Sequence, residues 1–318
     1  MIRYRRRSRI HPAPALGAVG ATPYPGAMRV DAHVHLQPHG ERPPVDRARI
    51  ALYVEHARRN GVDVIVFTEH LFRFREAYDL LAGWWEADPN PLLAEATRRY
   101  WLDHVNLSLA EYVRLIEQAK ADGLPVRLGL ELDWIPGRAE DLRRLLAPYA
   151  WDCVLGSVHW IGAFLIDDEA SLPEWERRDV AQVWREYGQL VEELAGAGLV
   201  DVLAHPDVVK VFGHRPADER PLRERIVAAA ARHGLALEIN TNGLRKPVGE
   251  IYPHPEILRL ARAAGVPITL ASDAHTPERV GAWFEQAAAA ARTAGYDAYV
   301  TFERRQPRPV PLWPAPGK

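Results

Sequence analysis

Residues 29–35 read RVDAHVH, a short apolar run that ends in two histidines placed two residues apart. Six later stretches repeat this pattern of an apolar run followed by polar residues: VDVIVFTEH (62–70), VRLGLELDW (126–134), WDCVLGSVHW (151–160), LVDVLAHPD (199–207), LALEINTN (235–242) and PITLASDAH (267–275). Runs that are β-branched or rich in Leu are typical of strands covered on both faces. The sequence therefore predicts seven strands.

Helical segments separate the predicted strands. They cover residues 47–60, 109–122, 174–195, 219–233, 255–264 and 278–294. Several of them close with a glycine, as helices often do before a strand: Gly61, Gly123, Gly198, Gly234 and Gly265. Alternating strands and helices imply a parallel sheet with right-handed crossovers. Because no GxGxxG follows the first strand, we expect an α/β fold in which seven strands close a (β/α) barrel, rather than an open dinucleotide-binding sheet.

Two segments fall outside this alternation. Residues 71–108 are long, aromatic and divided by the Pro89–Pro91 turn, so we expect a helical insertion near the barrel mouth, used either for packing or for substrate contact. Residues 1–27 hold five arginines, no acid and a Pro/Gly/Ala-rich stretch, which predicts a disordered basic arm. Met28 directly precedes RVDAHVH and is an alternative translation start, so we expect the barrel within residues 28–318.

Composition and charge exclude several classes of protein. The 318 residues include 40 basic and 42 acidic side chains, and five of the basic ones lie in residues 1–27, so the remainder is acidic. This balance gives no electrostatic reason to expect a nucleic-acid or membrane partner. The single cysteine, Cys153, excludes an internal disulfide framework and is expected in the core. Without an apolar run of about 18 residues, a soluble cytoplasmic protein is expected.

Residues that bind metals gather where the predicted strands end. In a (β/α) barrel the carboxyl ends of the strands carry the chemistry, and strand positions i and i+2 point to the same side. A lone histidine is usually an ordinary packed or solvated side chain, but this set follows one strand after another. The residues predicted to converge on a metal site are His33, His35, His39, His70, Glu131, His159, His205, Asp273 and His275.

The ligand types narrow the metal and the chemistry. Imidazoles and carboxylates without thiolates suit Zn, Mn or Fe, and nine ligands exceed what one ion uses. We therefore expect two or three divalent ions that share a bridging carboxylate. Such ions lower the pKa of a shared water and hold the oxygens of a phosphoryl group, so no serine or cysteine nucleophile is needed. The predicted partner is a small phosphorylated substrate.

The motif series DAHVH (31–35), TEH (68–70), Glu131, SVH (157–159), HPD (205–207) and SDAH (272–275) resembles that of the PHP (polymerase and histidinol phosphatase) family. The resemblance implies a distorted seven-stranded barrel with a trinuclear metal centre. LGSVHWIG (155–162), EINTNGLRK (238–246) and FERRQPRPVPL (302–312) look most like the histidinol-phosphate phosphatase branch. Membership of that branch would imply release of phosphate from L-histidinol phosphate in histidine biosynthesis.

The resemblance also implies a role for each ligand. His33, His35, Glu131 and Asp273 would hold the first ion. Glu131 would bridge to a second ion bound by His159 and His205, and the third ion would take His39, His70 and His275. Glu131, His159 and Asp273 would be the catalytic residues. The sequence departs from the branch near His39, because only Leu36 and Gln37 separate His35 from Pro38.

Substrate-binding residues are expected after the sixth strand, which carries no predicted ligand. Arg245 and Lys246 in GLRK are candidates to bind the phosphate, since cations there can reach the barrel mouth. Asn240, with Asn242, is a candidate to meet a substrate amine or hydroxyl. Asp31, two residues before His33, is expected to orient a ligand imidazole.

Three alternative functions are consistent with parts of the pattern. The same chemistry could act on another phosphorylated metabolite, a nucleotide or an oligonucleotide end. An amidohydrolase-type enzyme also begins with HxH, but it normally uses a bridging lysine, and none ends the fourth strand. A non-catalytic barrel should have lost ligands, whereas all nine positions hold metal-binding residue types.

Overall fold

The computed structural model describes residues 27–314, which form a barrel of parallel strands surrounded by helices. In chain order the strands are β1 (Val30–Val34), β2 (Val64–Phe67), β3 (Val126–Asp133), β4 (Cys153–Ser157), β5 (Trp160–Ile161), β6 (Phe164–Leu165), β7 (Val202–Leu203), β8 (Ala236–Asn240), β9 (Ile268–Ala271), β10 (Ala298–Glu303) and β11 (Gln306–Pro311). The helices are α1 (Arg47–Arg59), α2 (Arg75–Leu81), α3 (Pro91–His104), α4 (Leu109–Ala121), α5 (Ala139–Leu146), α6 (Leu172–Trp175), α7 (Val180–Gly196), α8 (Arg220–His233), α9 (Pro255–Ala263) and α10 (Phe284–Thr293).

Seven parallel strands form the barrel sheet in the order β1-β2-β3-β4-β7-β8-β9, which confirms the predicted fold class. Between the last and the first strand the closure is short. Val34 forms a bridge with Ala274, and the backbone N–H of His35 donates to the Ala274 carbonyl at 2.8 Å. We call this junction the seam. The barrel is therefore nearly closed, with β1 and β9 as neighbours.

The strands form where the sequence is apolar because both of their faces are covered. All residues of β1, β3, β4, β8 and β9 are buried, and Cys153 lies in this core as expected. Gly129 in β3 allows close packing against β2, since a Cβ there would lie 2.7 Å from the Thr68 methyl carbon. Helix ends follow the local sequence too. Asp46 caps α1, and Gly234 after α8 has φ of 68°, which glycine adopts without strain.

Residues 71–108, predicted as a helical insertion, are largely helical. This segment contains α2, α3 and two short 3₁₀ turns, and it carries Trp85 and Trp101 into the core. Phe72 and Tyr100 from the same segment line the cavity above the carboxyl ends of the strands. The insertion thus contributes both to packing and to the wall of that cavity.

A carboxyl-terminal hairpin, β10–β11, covers the opposite end of the barrel. The Tyr299 hydroxyl accepts from the Val30 N–H at 3.1 Å, and Arg127 donates to the Thr301 hydroxyl at 2.6 Å. Both barrel residues lie at the amino ends of their strands, so the hairpin leaves the carboxyl ends free for the site. The sequence patterns did not predict this hairpin.

Apart from Ala27, the predicted basic arm lies outside the described residues. Within residues 27–314, no helix has the length and apolar character needed to cross a membrane.

Candidate metal centre

Eight of the nine predicted ligands converge at the carboxyl ends of the strands. Their donor atoms form overlapping groups, and within each group the atoms lie within 4.8 Å of one another. Two further buried carboxylates, Asp133 and Glu238, belong to these groups. The groups are His35/His70/His275, His33/His205/Glu238, His33/His35/Asp273, His70/Asp133/His159 and Glu131/His159/His205.

Glu131 lies at the middle of the cluster, and its two oxygens face different imidazoles. Oε1 lies 2.9 Å from His205 Nε2 and 3.5 Å from His159 Nε2. Oε2 lies 2.6 Å from His70 Nδ1 and 3.3 Å from His33 Nε2. A carboxylate placed in this way can join two neighbouring cation sites.

The donor atoms satisfy a simple test for metal binding. Among the described residues, Glu131 Oε2, Asp273 Oδ1 and His70 Nδ1 are buried without a well-formed hydrogen bond. Buried polar atoms normally have hydrogen-bond partners. These three atoms instead lie 2.6–3.8 Å from one another or from other candidate ligand atoms. The converging lone pairs come from imidazoles and carboxylates, and the described cluster contains no thiolate. This donor set suits divalent transition-metal ions.

Three buried carboxylates outside the predicted ligand set contact the Nδ1 atoms of imidazoles that are predicted ligands. The pairs are His33 Nδ1 with Glu238 Oε1 at 2.7 Å, His159 Nδ1 with Asp133 Oδ1 at 2.6 Å, and His35 Nδ1 with Glu69 Oε1 at 3.5 Å. A carboxylate in this position keeps the proton on Nδ1, so that Nε2 is free to coordinate. The sequence analysis missed all three. A charged residue within an otherwise apolar strand was the available signal for Glu238.

Two of the predicted ligands lie on backbone that is unusual for their residue types. His205 has φ of 27° and Asp273 has φ of 50°, in the left-handed region that non-glycine residues rarely adopt. Each is held by neighbours from β8. The Glu238 carboxylate accepts from the His205 N–H at 2.6 Å, and Asn240 Nδ2 donates to Asp273 Oδ2 at 3.3 Å. Such strain costs about 1–3 kcal/mol per residue and is found mainly at functional sites.

The electrostatics of the cluster favour positive charge at His159 and a neutral imidazole at His275. Burial lowers the pKa of His159, but the carboxylates of Asp167 and Glu131 outweigh burial and raise this pKa to about 10. Positive charge is therefore stabilised beside His159. Burial, with the positive charge of His35 nearby, lowers the pKa of His275 to about 3. His275 is consequently neutral near pH 7, which is the form that binds metals.

His39, the ninth predicted ligand, lies at the rim of the cluster. Its ring stacks on that of His275 with centroids 4.6 Å apart, and the His70 ring is 5.3 Å away. His39 is exposed and belongs to none of the donor groups found among the described residues. Its role as a ligand stays a prediction.

The candidate substrate residues are placed differently from one another. Lys246 lines the cavity above the cluster, whereas the Arg245 guanidinium lies over the Trp283 ring, 4.1 Å from its centroid, and is not part of the lining. Asn240 is fully buried and its amide donates to Glu238 at 3.0 Å. The expectation that Arg245 and Asn240 face the substrate therefore does not match their placement, while Lys246 does face the cavity.

Asp31 also differs from the expectation that it orients an imidazole. Its carboxylate accepts from the backbone N–H groups of Ser272 at 2.9 Å and Gly281 at 2.8 Å. Asp31 therefore joins β1 to the segment after β9, across the seam.

Comparison with known proteins agrees with this geometry. A family model described as the PHP domain matches residues 35–242. The chain belongs to the PHP family. This PHP chain is 35% identical over 279 residues to a probable histidinol-phosphatase of Deinococcus radiodurans, covering 88% of the chain and 98% of that relative. It is 23% identical over 284 residues to a histidinol-phosphatase of Lactococcus lactis, covering 86% and 94%.

Solved structures share the PHP fold. The crystal structure of the histidinol phosphate phosphatase from Lactococcus lactis, complexed with zinc, L-histidinol and phosphate, aligns with a TM-score of 0.66 at 23% identity, over 88% of this chain and 98% of that one. A putative histidinol phosphatase from Listeria monocytogenes aligns with a TM-score of 0.64 at 20% identity, over 81% and 99%. The expected family and barrel are thus confirmed.

Proposed function

We propose that this PHP chain hydrolyses L-histidinol phosphate to L-histidinol and inorganic phosphate, and so acts in histidine biosynthesis. Membership of the family and the curated relatives put the chain among metal-dependent phosphatases. The observation that carries the choice of substrate is the 35% identity that extends over 98% of the Deinococcus radiodurans relative. The imidazole–carboxylate cluster agrees with this chemistry.

The donor groups support an assignment of two or three divalent ions, with Zn, Mn and Fe as candidates. His33, His35 and Asp273 form one group, and Glu131 with His159 and His205 forms another. A third group contains His35, His70 and His275. In the family pattern, His39 would stand where His35 stands in this group. Ions bound there would polarise the phosphoryl oxygens and lower the pKa of a bound water.

The protein's own residues bind and orient the substrate. Lys246 projects into the cavity, where its ammonium can bind phosphate oxygens. Glu131 keeps the two halves of the cluster together through both of its oxygens. Phe72, Tyr100 and Trp160 line the cavity and limit water around the alcohol part of the substrate. Glu131, His159 and Asp273 are accordingly the proposed catalytic residues.

Phosphate release from a panel of monoesters tests the proposal. Metal-free protein is reconstituted separately with Zn, Mn or Fe and supplied with L-histidinol phosphate, sugar phosphates, nucleotides or a 5′-phosphorylated oligonucleotide. L-histidinol phosphate should give the highest kcat/KM. A nucleotide or oligonucleotide with a higher kcat/KM would overturn the choice of substrate and favour the alternative phosphoesterase.

Two histidine variants serve as the matched pair for that assay. His159→Ala removes a proposed ligand and should lower kcat sharply. His233→Ala removes an exposed histidine at the end of α8 and should leave kcat unchanged. Equal activity of the two variants would contradict the role of His159.

A further inference from the structure

Asp167 lies in the cavity wall close to the metal centre, although it is neither a predicted ligand nor a member of any donor group in the described residues. Its position follows from the short β5–β6 hairpin, which turns the chain back over His159. The Ile166 N–H donates to the His159 carbonyl at 2.9 Å, and Trp175 Nε1 donates to the Ile166 carbonyl at 2.9 Å. Both backbone groups of Ile166, the residue just before Asp167, are therefore held by hydrogen bonds.

Between residues 27 and 314 the Asp167 carboxylate forms no hydrogen bond or ion pair, although its charge acts on the nearby His159 imidazole. Lys246 lines the same cavity but forms no ion pair with it. The neighbouring Asp168 is different, because its carboxylate accepts from the Ala170 N–H at 2.7 Å and caps a 3₁₀ turn. Besides acting on the neighbouring His159 imidazole, the Asp167 carboxylate lines the cavity, where a cation on a bound molecule can reach it.

The surroundings of Asp167 suit an organic cation. Tyr100, Trp160 and Tyr252 line the same cavity, and aromatic faces attract ammonium and related groups. Tyr252 is 2% exposed, and its hydroxyl has no hydrogen-bond partner among the described residues. The cavity lining therefore includes a carboxylate, a tyrosine hydroxyl without a partner among the described residues and aromatic rings, together with Lys246 and residues of the metal centre.

We propose that Asp167 is a specificity residue that binds a positively charged amino or imidazolium group on the alcohol part of the substrate. The inference rests on the proposed phosphatase function and makes it more specific, because it selects phosphomonoesters of cationic alcohols. The phosphate would lie toward Lys246 and the metal ligands, and the cationic end would lie between Asp167 and the aromatic residues.

The test compares Asp167→Asn with the matched control Asp168→Asn. Both variants remove one negative charge from adjacent positions, but only Asp167 lines the cavity of the metal centre. Each is assayed with 3-aminopropyl phosphate and its neutral isostere n-butyl phosphate, and also with L-histidinol phosphate and p-nitrophenyl phosphate. Metal content is measured on every sample.

For Asp167→Asn we expect kcat/KM for both cationic substrates to fall about ten- to hundredfold, the range for loss of one charge-assisted contact. The values for n-butyl and p-nitrophenyl phosphate should stay within threefold, and Asp168→Asn should match the wild type. An equal fall for both alkyl esters, with p-nitrophenyl phosphate unaffected, would identify a proton donor to the leaving group and overturn the inference. A fall on all substrates with lost metal, or no fall at all, would overturn it too.

Failure of the inference can be distinguished from failure of the proposed function. If another cationic ester is preferred over L-histidinol phosphate and that preference depends on Asp167, only the choice of substrate is wrong. If the wild type prefers no cationic ester, the inference is wrong even though phosphatase activity remains. Calorimetric titration with L-histidinol in the presence of inorganic phosphate gives a readout independent of turnover. Asp167→Asn should weaken that binding at least tenfold, and unchanged affinity would refute the inference.

Discussion

Glu238→Gln is the substitution that most directly tests how the metal ligands are held. Glu238 is fully buried in β8, outside the proposed ligand set. Its Oε1 accepts from His33 Nδ1 at 2.7 Å, and its Oε2 accepts from the His205 N–H at 2.6 Å and from Asn240 Nδ2 at 3.0 Å. One carboxylate therefore orients two ligands from opposite parts of the barrel. Glutamine has the same shape but only one acceptor oxygen.

The size of the effect follows from these contacts. In either orientation of the glutamine amide, its NH₂ group faces a donor, so at least one charge-assisted hydrogen bond is lost. Such a bond contributes about 1.5–3 kcal/mol, which is about a ten- to hundredfold change in an equilibrium constant. Loss of a carboxylate behind a ligand histidine typically weakens metal binding by about 10–100-fold. We therefore expect metal affinity to fall by about that factor while the barrel stays folded.

Competitive titration of zinc against a chromophoric chelator measures the affinity of the metal-free wild type and the variant. Circular dichroism checks that both are folded. Glu140→Gln, an exposed position at the start of α5, is the matched control and should bind zinc like the wild type. A Glu238→Gln affinity within threefold of the wild type would refute the proposed orienting role.

Four other substitutions test separate parts of the structure. Glu131→Gln should keep the fold but lose metal, because an amide cannot bridge two cations as a carboxylate does, and a full metal complement on elemental analysis would contradict this. Lys246→Ala should raise KM for the phosphomonoester about tenfold with little change in kcat, whereas Arg245→Ala should stay within twofold in steady-state kinetics. Similar KM values for both would argue against phosphate binding by Lys246. Gly243→Ala should lower the free energy of unfolding by about 1–3 kcal/mol, since its Cβ would overlap the Glu250 carbonyl oxygen, and an unchanged denaturant midpoint would exclude that clash.

The barrel strands were predictable because burial on both faces leaves a visible apolar run in the sequence. The hairpin β10–β11 was not, since β11 reads QPRPVP and prolines at alternate positions do not suggest a strand. The strand is possible because it pairs with β10 alone, and an edge strand tolerates residues without an N–H. Whether residues 306–311 form a strand therefore depends on tertiary contacts, which a local sequence pattern does not contain.

The candidate metal ligands were visible in the sequence to a similar degree, because their residue types recur at strand ends. The residues that orient them were less visible. Asp133 lies on the same strand as Glu131, but its importance depends on His159, which is brought to it by the pairing of β3 with β4. Arg245 and Lys246 are adjacent and chemically alike. The turn after β8 directs the Arg245 guanidinium over the Trp283 ring and Lys246 toward the cavity. The sequence does not show this difference.

The seam has a consequence for how the protein is held together. Asp31 and Ser272, which are bonded across it, are 241 residues apart in the chain, so closing the barrel here restricts a very long loop. His33 and His35 lie on one side of the seam, and Asp273 and His275 lie on the other. A cation bound by both sides would act as a reversible cross-link between the first and last barrel strands. The free energy of metal binding would then add to the free energy of unfolding, and the two ends of the domain would separate more easily whenever metal is scarce.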